Sequence, residues 1–213
     1  LSNSDAHSLE NIGREANAME LKNDSYEAIY QAIKGNKRLA AGDAEGMIET
    51  IEFYPEEGMY HFDGHRDCNF SCSPEESKRL RNLCPRCGRP LIIGVSNRVA
   101  ELADRPLGFK PDSAAPFRRL VELDKIIAEA LQVKNRKSVK VDKLYRELIG
   151  KFGSELHILM DLDLSALKND YPAVAEGIER VRRGQLTIVP GFDGQYGAIK
   201  VFPDNFFKPK ILF

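Results

Sequence analysis

The chain has 213 residues, of which 42% are hydrophobic, and its formal net charge is -1. It is long enough to bury one sizeable core or two smaller ones, and its longest apolar runs span only a few residues, which excludes a membrane-crossing helix. Nothing marks it as secreted, so a cytoplasmic protein without a membrane partner is expected.

The first residue is Leu1 rather than Met, and residues 1–8 read as the end of something rather than a beginning, so a fragment is expected. If Ser4 to Ser8 is extended, Asp5 and His7 sit at i and i+2 and project from one side, as an oxygen and a nitrogen metal ligand would. A polar turn capping the next helix is the plainer reading of the same residues. Helices are predicted over Asn11 to Met19 and Ser25 to Lys34. In the second, Tyr26, Ile29, Tyr30 and Ile33 recur at helical spacing, which assigns the tyrosines to the core, and Gly35-Asn36 ends it. Met47 to Tyr54 alternates apolar and polar residues and reads as a strand ending at Pro55. Pro55-Glu56-Glu57-Gly58 then turns into a second strand at Met59 to Phe62.

That predicted hairpin leads into the densest chemistry in the sequence. The chain's four cysteines fall as Cys68-x3-Cys72-x11-Cys84-x2-Cys87. Two short chelating pairs, the second in the knuckle Cys84-Pro85-Arg86-Cys87-Gly88, offer four thiolates to a tetrahedral Zn²⁺, and the Gly after the last ligand lets the backbone turn back. Four sulfur ligands leave no open position. The ion would be structural, and its binding energy, about 10–16 kcal/mol in small zinc modules, would hold a loop-rich region together. Two disulfides are the rival reading, disfavoured without a sign of secretion. His65, three residues before Cys68, is read as an alternate metal ligand, a contact to an unstacked base or a hydrogen-bonded turn residue, with the last favoured.

Lys78 to Arg98 encloses the knuckle and carries six basic residues and no acid. Leu91 to Val95 is predicted as a strand, Ser96 to Ala103 as a helix capped by Ser96 or Asn97, and residues 104–116, with Pro106, Gly108, Pro111 and Pro116, as a linker. Beyond it, helices are predicted over Phe117 to Leu131 and Val139 to Ile149, each with one apolar face. Leu156 to Leu162 fits a strand or a helix start, Leu164 to Val181 is mostly helical despite Pro172, and Gln185 to Val189 is a short strand. Lys134, Arg136, Lys137, Lys140, Lys143 and Arg146 form a second basic run, and Arg180, Arg182 and Arg183 a third cluster. Any one could be a solvated helix face; the three together favour a polyanionic partner. In Pro190 to Gly197, three glycines surround Phe192 and Tyr196. The plain reading is a hairpin loop; the functional one has the backbone approaching a phosphate while the rings stack on a base. The end, Phe206 to Phe213, is strongly apolar and is expected to form a packed strand or clamp. Leu212-Phe213 also resembles the hydrophobic end of sliding-clamp-binding motifs, which makes a sliding clamp the alternative partner there.

Asn3-Ser4-Asp5-Ala6-His7-Ser8, Ile51 to Gly58, the Tyr60-His61-Phe62-Asp63-Gly64-His65-Arg66-Asp67-Cys68 approach to the cysteines, and Pro190 to Gly194 together resemble the C-terminal half of endonuclease Q-type proteins. These are DNA-repair nucleases with a PHP (polymerase and histidinol phosphatase) domain. The resemblance implies an α+β chain: the tail of a PHP α/β barrel in residues 1–57, a four-cysteine zinc module with a β-hairpin in 58–103, the linker, and a mostly helical C-terminal domain in 117–213. It makes Asp5 and His7 ligands of a divalent-metal centre (Zn²⁺, Mn²⁺ or Mg²⁺) whose other ligands belong to an upstream PHP domain. It implies a metal-dependent endonuclease cutting DNA 5′ of deaminated bases such as hypoxanthine or uracil. This chain would be the recognition half, inactive by itself, with Arg66, Arg79, Arg81, Arg86, Arg89, Phe192 and Tyr196 meeting DNA and Cys68, Cys72, Cys84 and Cys87 holding zinc. Two other readings are a non-catalytic zinc module that binds nucleic acid or protein, and a small-molecule phosphoesterase of PHP type.

Overall fold

The computed structural model describes residues 1–35, 45–112 and 114–207. Its first strand, β1 (Ala16–Glu20), is followed by α1 (Tyr26–Lys34) and β2 (Gly46–Glu52). β1 pairs antiparallel with β2, and β2 pairs parallel with β5 (Phe117–Arg119), giving a sheet of order β1-β2-β5. Both outer strands fall where helices were expected, at Asn11 to Met19 and at the start of Phe117 to Leu131. Main-chain pairing decides each case: β1 runs in register with β2 from Ala16–Ile51 to Glu20–Gly46, and beside β5 the Thr50 amide donates to the Pro116 carbonyl at 3.0 Å and the Leu120 amide to the Glu52 carbonyl at 2.9 Å. Backbone committed to a ladder cannot also close i to i-4 bonds, so the helix waits until Leu123.

α1 has its expected bounds, and Ser25 caps it by accepting the Ala28 amide. The residues it buries are Ala28 and Ala32. Tyr26 and Tyr30 stack on each other at 6.3 Å on the outer face, with Tyr26 80% exposed, so the expectation of core tyrosines is corrected.

The strand expected at Met59 to Phe62 is not formed. Pro55–Glu57 makes a 3-10 turn, and the hairpin of this region lies just beyond, between β3 (Asp63–His65) and β4 (Phe70–Cys72). Short helices α2 (Pro74–Arg79) and α3 (Val95–Leu102) follow, α2 capped by Ser73. A small cluster of Cys72, Cys84 and Leu91, with Phe70 and Leu80 against it, is the local core here.

The main core lies elsewhere. It is built by α4 (Leu123–Ala130), α5 (Val139–Phe152), α6 (Glu155–Met160), α7 (Ser165–Lys168) and α8 (Pro172–Arg182). Leu123, Ile126, Leu148, Ile158, Leu167 and Ile178 are fully buried there. Ser138 and Ser154 cap α5 and α6, and Pro172 opens α8 at the position where its missing amide costs nothing, which resolves the expected long helix into two. The hairpin of β6 (Thr187–Val189) and β7 (Ala198–Lys200) closes the chain onto this core. Phe206 and Phe207 lie 4.8 and 5.0 Å from the buried Phe202 ring, so the start of the apolar end is packed. The rest of it, with the Leu212-Phe213 motif, lies outside the described residues. The fold is thus mixed α/β, with small sheets and a helical core. Among the described residues no helix is long and apolar enough to cross a membrane.

Candidate metal knuckle and arginine surface

Two tight turns face each other. The first is the β3–β4 hairpin, in register Asp63 to Cys72, Gly64 to Ser71 and His65 to Phe70, with a 3-10 turn over Arg66–Cys68 and Asn69 in the left-handed region at φ 45. The second joins Leu83 to Pro90: the Cys84 amide donates to the Arg89 carbonyl, the Gly88 amide to the Cys84 carbonyl, both at 2.8 Å, and Gly88 has φ +74. Reciprocal hydrogen bonds between Gly64 and Ile92, at 2.8 and 2.9 Å, fasten the second turn to β3.

This arrangement gathers His65, Cys68, Cys84 and Cys87, whose donor atoms all lie within 4.8 Å of one another. The His65 Nδ1 is 3.4 Å from the Cys87 Sγ. A zinc tetrahedron with Zn–S near 2.3 Å has edges of about 3.8 Å, so three thiols and an imidazole at this separation fit such an ion. Burial would push the Cys84 thiol up, but the Arg86 and Cys87 amides, the His65 ring and the Cys87 thiol together hold it down at about 6. That is a thiol ready to ionise for a cation.

Cys72 is the departure from the expected four-cysteine set. It lies outside the cluster of donors within 4.8 Å of one another. Its burial, which Cys84 shares, and its thiol, pushed up to about 11 by burial as that of Cys68 is by Cys87 and burial, do not by themselves set it apart. The strand register gives the reason. Cys72 pairs with Asp63 and stands two residues, about 7 Å, along the ladder from the pair His65–Phe70 at the turn.

Asp63 had no assigned role, yet it is the completely buried carboxylate behind this site. It accepts the Gly94 amide at 2.7 Å and the Asn97 side-chain amide at 2.5 Å, tying β3 to α3. From the far end of the sequence, Asp193 accepts the Arg66 amide at 2.6 Å and fixes the first turn. A bond across 127 positions has no local signal.

Arg66, Arg79, Arg81, Arg86 and Arg89 are all exposed around the knuckle. Among the described residues none of their side chains forms an ion pair, and Arg86 Nη1 instead donates to the Cys68 carbonyl at 2.5 Å. The arginines of the other basic clusters are committed internally, while Lys134, Lys140 and Lys143 are exposed and form no ion pair among the described residues. Arg136 meets Glu122 and Asp124, Lys137 meets Glu10, and Arg146 meets Asp142. Arg183 meets Glu179, and Arg182 donates to the carbonyls of Ile158, Leu159 and Leu162.

Pro190 to Gly197 is the β6–β7 loop, as its plain reading had it. Phe192, expected to stack on a base, is instead 8% exposed and lies against Gly64, where an added Cβ would meet its ring at 2.3 Å. Tyr196 is 77% exposed and free to meet a ligand. Asp5 and His7 are exposed, and the segment is not evenly extended: Asp5 has φ 45, and His7 Nδ1 lies 2.7 Å from its carbonyl. Asn17 of β1 holds the preceding residues by exchanging hydrogen bonds with the Ser2 backbone at 2.8 and 2.9 Å. Among the described residues, Asp5 and His7 belong to no cluster of three or more metal donors.

Comparison with known proteins finds relatives over nearly the whole chain. The sequence family described as the MJ0043 C-terminal domain matches residues 122–185. Protein MJ0043 of Methanocaldococcus jannaschii is 34% identical over 212 residues, covering 96% of this chain and 26% of that protein. YqxK of Bacillus subtilis is 29% identical over 202 residues, covering 94% of this chain and 46% of that one. The crystal structure of the lesion-specific endonuclease PfuEndoQ from Pyrococcus furiosus superposes with a TM-score of 0.81 at 34% identity, over 98% of this chain and 50% of that one. An endonuclease Q in complex with a 27-mer duplex substrate bearing an abasic lesion at the active site gives 0.78 at 34% identity, over 99% and 51%. The chain spans about half the length of these solved structures, and less of the two relatives.

Proposed function

We propose, from this likeness in sequence and fold to half of an endonuclease Q, that the chain is the zinc-stabilised DNA-recognition half of a metal-dependent endonuclease that cuts 5′ of deaminated bases. The observation that carries the reading is the knuckle itself, a metal-ready turn surrounded by arginines that form no ion pair among the described residues, while the arginines of the other basic clusters are engaged by acids and carbonyls. Arginines placed this way neutralise phosphates and set the register of a duplex, while sequence or lesion readout belongs to other contacts.

In this reading residues 58–103 are the zinc module, residues 117–213 the helical domain that supports it, and residues 1–57 the end of a PHP domain, in a cytoplasmic protein. Asp5 and His7 would complete a divalent-metal centre whose remaining histidine and acid ligands lie in the half of the nuclease that this chain does not span. Divalent ions there would supply an activated water and charge stabilisation for the leaving oxygen. A deaminated base is read outside the stack, and unstacking it costs about a few kcal/mol, least for a mispaired base.

The test is a nicking assay on an inosine-containing duplex with Mn²⁺ or Mg²⁺. The chain alone should bind and leave the duplex intact. Joined to an upstream PHP half it should nick 5′ of inosine, and Asp5→Ala or His7→Ala should abolish that nicking. Cleavage by the chain alone would overturn the assignment of the missing ligands. Tight binding with no nicking in the longer protein would favour a non-catalytic nucleic-acid module.

A further inference from the structure

Three parts of the chain meet at Arg14. The segment that carries Asp5 and His7 runs into it through stiffened backbone. There the Asn11 amide donates to the Ser8 carbonyl at 3.1 Å, and the Ile12 and Arg14 amides donate to the Leu9 and Asn11 carbonyls, both at 3.3 Å. The Arg14 guanidinium lies 4.4 Å over the Phe53 ring. Its Nη2 donates to Glu57 at 2.8 Å, and its Nε lies 3.7 Å from Glu122, just before α4. Both carboxylates are shared, Glu57 with Lys125 and Glu122 with Arg136. A planar guanidinium held by a ring and two acids is fixed in orientation, which a single exposed ion pair does not achieve.

Glu57 leads on to the knuckle. The carbonyls of Glu56 and Glu57 accept the amides of Gly191 and Gly197, at 2.8 and 3.1 Å, so the turn that holds Glu57 is bonded to both ends of the β6–β7 loop. The tip of that loop supplies Asp193, which accepts the Arg66 amide at 2.6 Å. Ser8 to Arg14, Glu57, the loop and Arg66 are thus bonded in series.

We infer that Arg14 is a positioning residue: it fixes the segment bearing Asp5 and His7 relative to the knuckle, and thereby which phosphodiester bond beside the lesion is cut. The inference rests on the endonuclease reading. The same segment has a second tether, Glu10 to Lys137 at 2.9 Å, but both its side chains are more than half exposed, so it serves as the control.

In the chain alone, Arg14→Ala should speed hydrogen exchange at the Asn11 and Ile12 amides and leave affinity for a duplex unchanged. In the chain joined to an upstream PHP half, on a duplex with one inosine, it should lower kcat at least about 10-fold, since a misplacement of about 1 Å can cost about 100-fold. It should also spread the nicks onto neighbouring phosphodiester bonds, which lost stability alone would not do. Arg14→Lys should recover part of the rate. Glu57→Gln should spread the nicks as Arg14→Ala does, and the double variant should do no more than the stronger single one, the mark of a shared interaction. Unchanged exchange, unchanged turnover, or slower turnover confined to the original bond would overturn the role of Arg14 and leave the endonuclease reading standing. An equal spread from Lys137→Ala would overturn it too, by assigning the effect to any charge that holds the segment. Failure of the unaltered joined protein to nick would overturn the endonuclease reading and this inference with it.

Discussion

At the scale of single residues, stability around the knuckle depends on a carboxylate that touches no metal. Asp63 is fully buried and holds two donors from α3 and its cap, so removing it strands the buried Gly94 amide and unties the half-buried Asn97 side chain. Asp63→Ala should cost about 1–3 kcal/mol, the penalty of a buried unsatisfied group, read by chemical denaturation with metal bound. Asp63→Asn, which can still accept from Gly94, should lose less. A second residue-scale expectation concerns acid. Burial would raise the Glu122 carboxyl, but its backbone hydrogen bond and the charges of Arg14, Arg136 and Lys125 outweigh it, so the folded pKa lies below the ordinary 4.5. A depressed carboxylate stabilises the fold above its unfolded pKa and loses that contribution as pH falls through the folded value. Asp124 beside it has the opposite sign, because burial dominates and raises it. Glu122→Gln should therefore melt below the unaltered protein at neutral pH, and the gap should close as pH drops below 4.5. A gap that stays constant with pH would show that Glu122 acts through packing alone.

Among elements, the joint between the β6–β7 loop and the Pro55–Glu57 turn connects the helical core to the knuckle. A Cβ on Gly197 would lie 2.0 Å from the Glu56 carbonyl oxygen, and one on Gly191 2.2 Å from that of Gly58. These glycines exist for close approach of two backbones, which the Gly191 amide then joins at 2.8 Å to the Glu56 carbonyl. Gly197→Ala should cost at least about 1–3 kcal/mol by overpacking, with increased hydrogen exchange at Phe62 and Gly191 as the local readout. This joint also shows where the sequence was readable. α5 announces itself through its period, because helices are closed by near neighbours, whereas Leu156 to Leu162 fits a strand or a helix start and only the Ser154 cap makes α6 plain. β1 and β5 do not announce themselves, since their hydrogen bonds are made with β2, and local propensity cannot register a partner from elsewhere in the chain. The metal site was half legible for the same reason. The Cys84-x2-Cys87 knuckle is local, but separating Cys72 from His65 needs the β3–β4 register, which composition does not carry. Phe192 and Tyr196 looked equivalent in the loop, and only the Gly64 contact buries one of them.

For the whole molecule, a formal charge of -1 says little, because the arginines divide into two populations. Those of the two helical clusters are consumed by acids and carbonyls of the same half: Arg136 by Glu122 and Asp124, Arg146 by Asp142, Arg182 by three carbonyls, which leaves the exposed Lys134, Lys140 and Lys143 as that half's free charges among the described residues of these clusters. The arginines about the knuckle face solvent. A duplex should therefore be met at that end, through an attraction that counterions oppose. Arg79, Arg81 and Arg89 are the residues to remove, since Arg86 also braces the Cys68 carbonyl and its loss would disturb the knuckle. Each phosphate contact contributes about 0.9 to the slope of log affinity against log salt, so the triple alanine variant should flatten that slope by roughly three units. Alanines at Lys134, Lys140 and Lys143 remove the same formal charge from the helical half and should change the slope by less than about one unit. Equal flattening by the two sets, measured by fluorescence anisotropy on the same duplex, would mean that DNA responds to net charge alone and that the knuckle is not its docking surface.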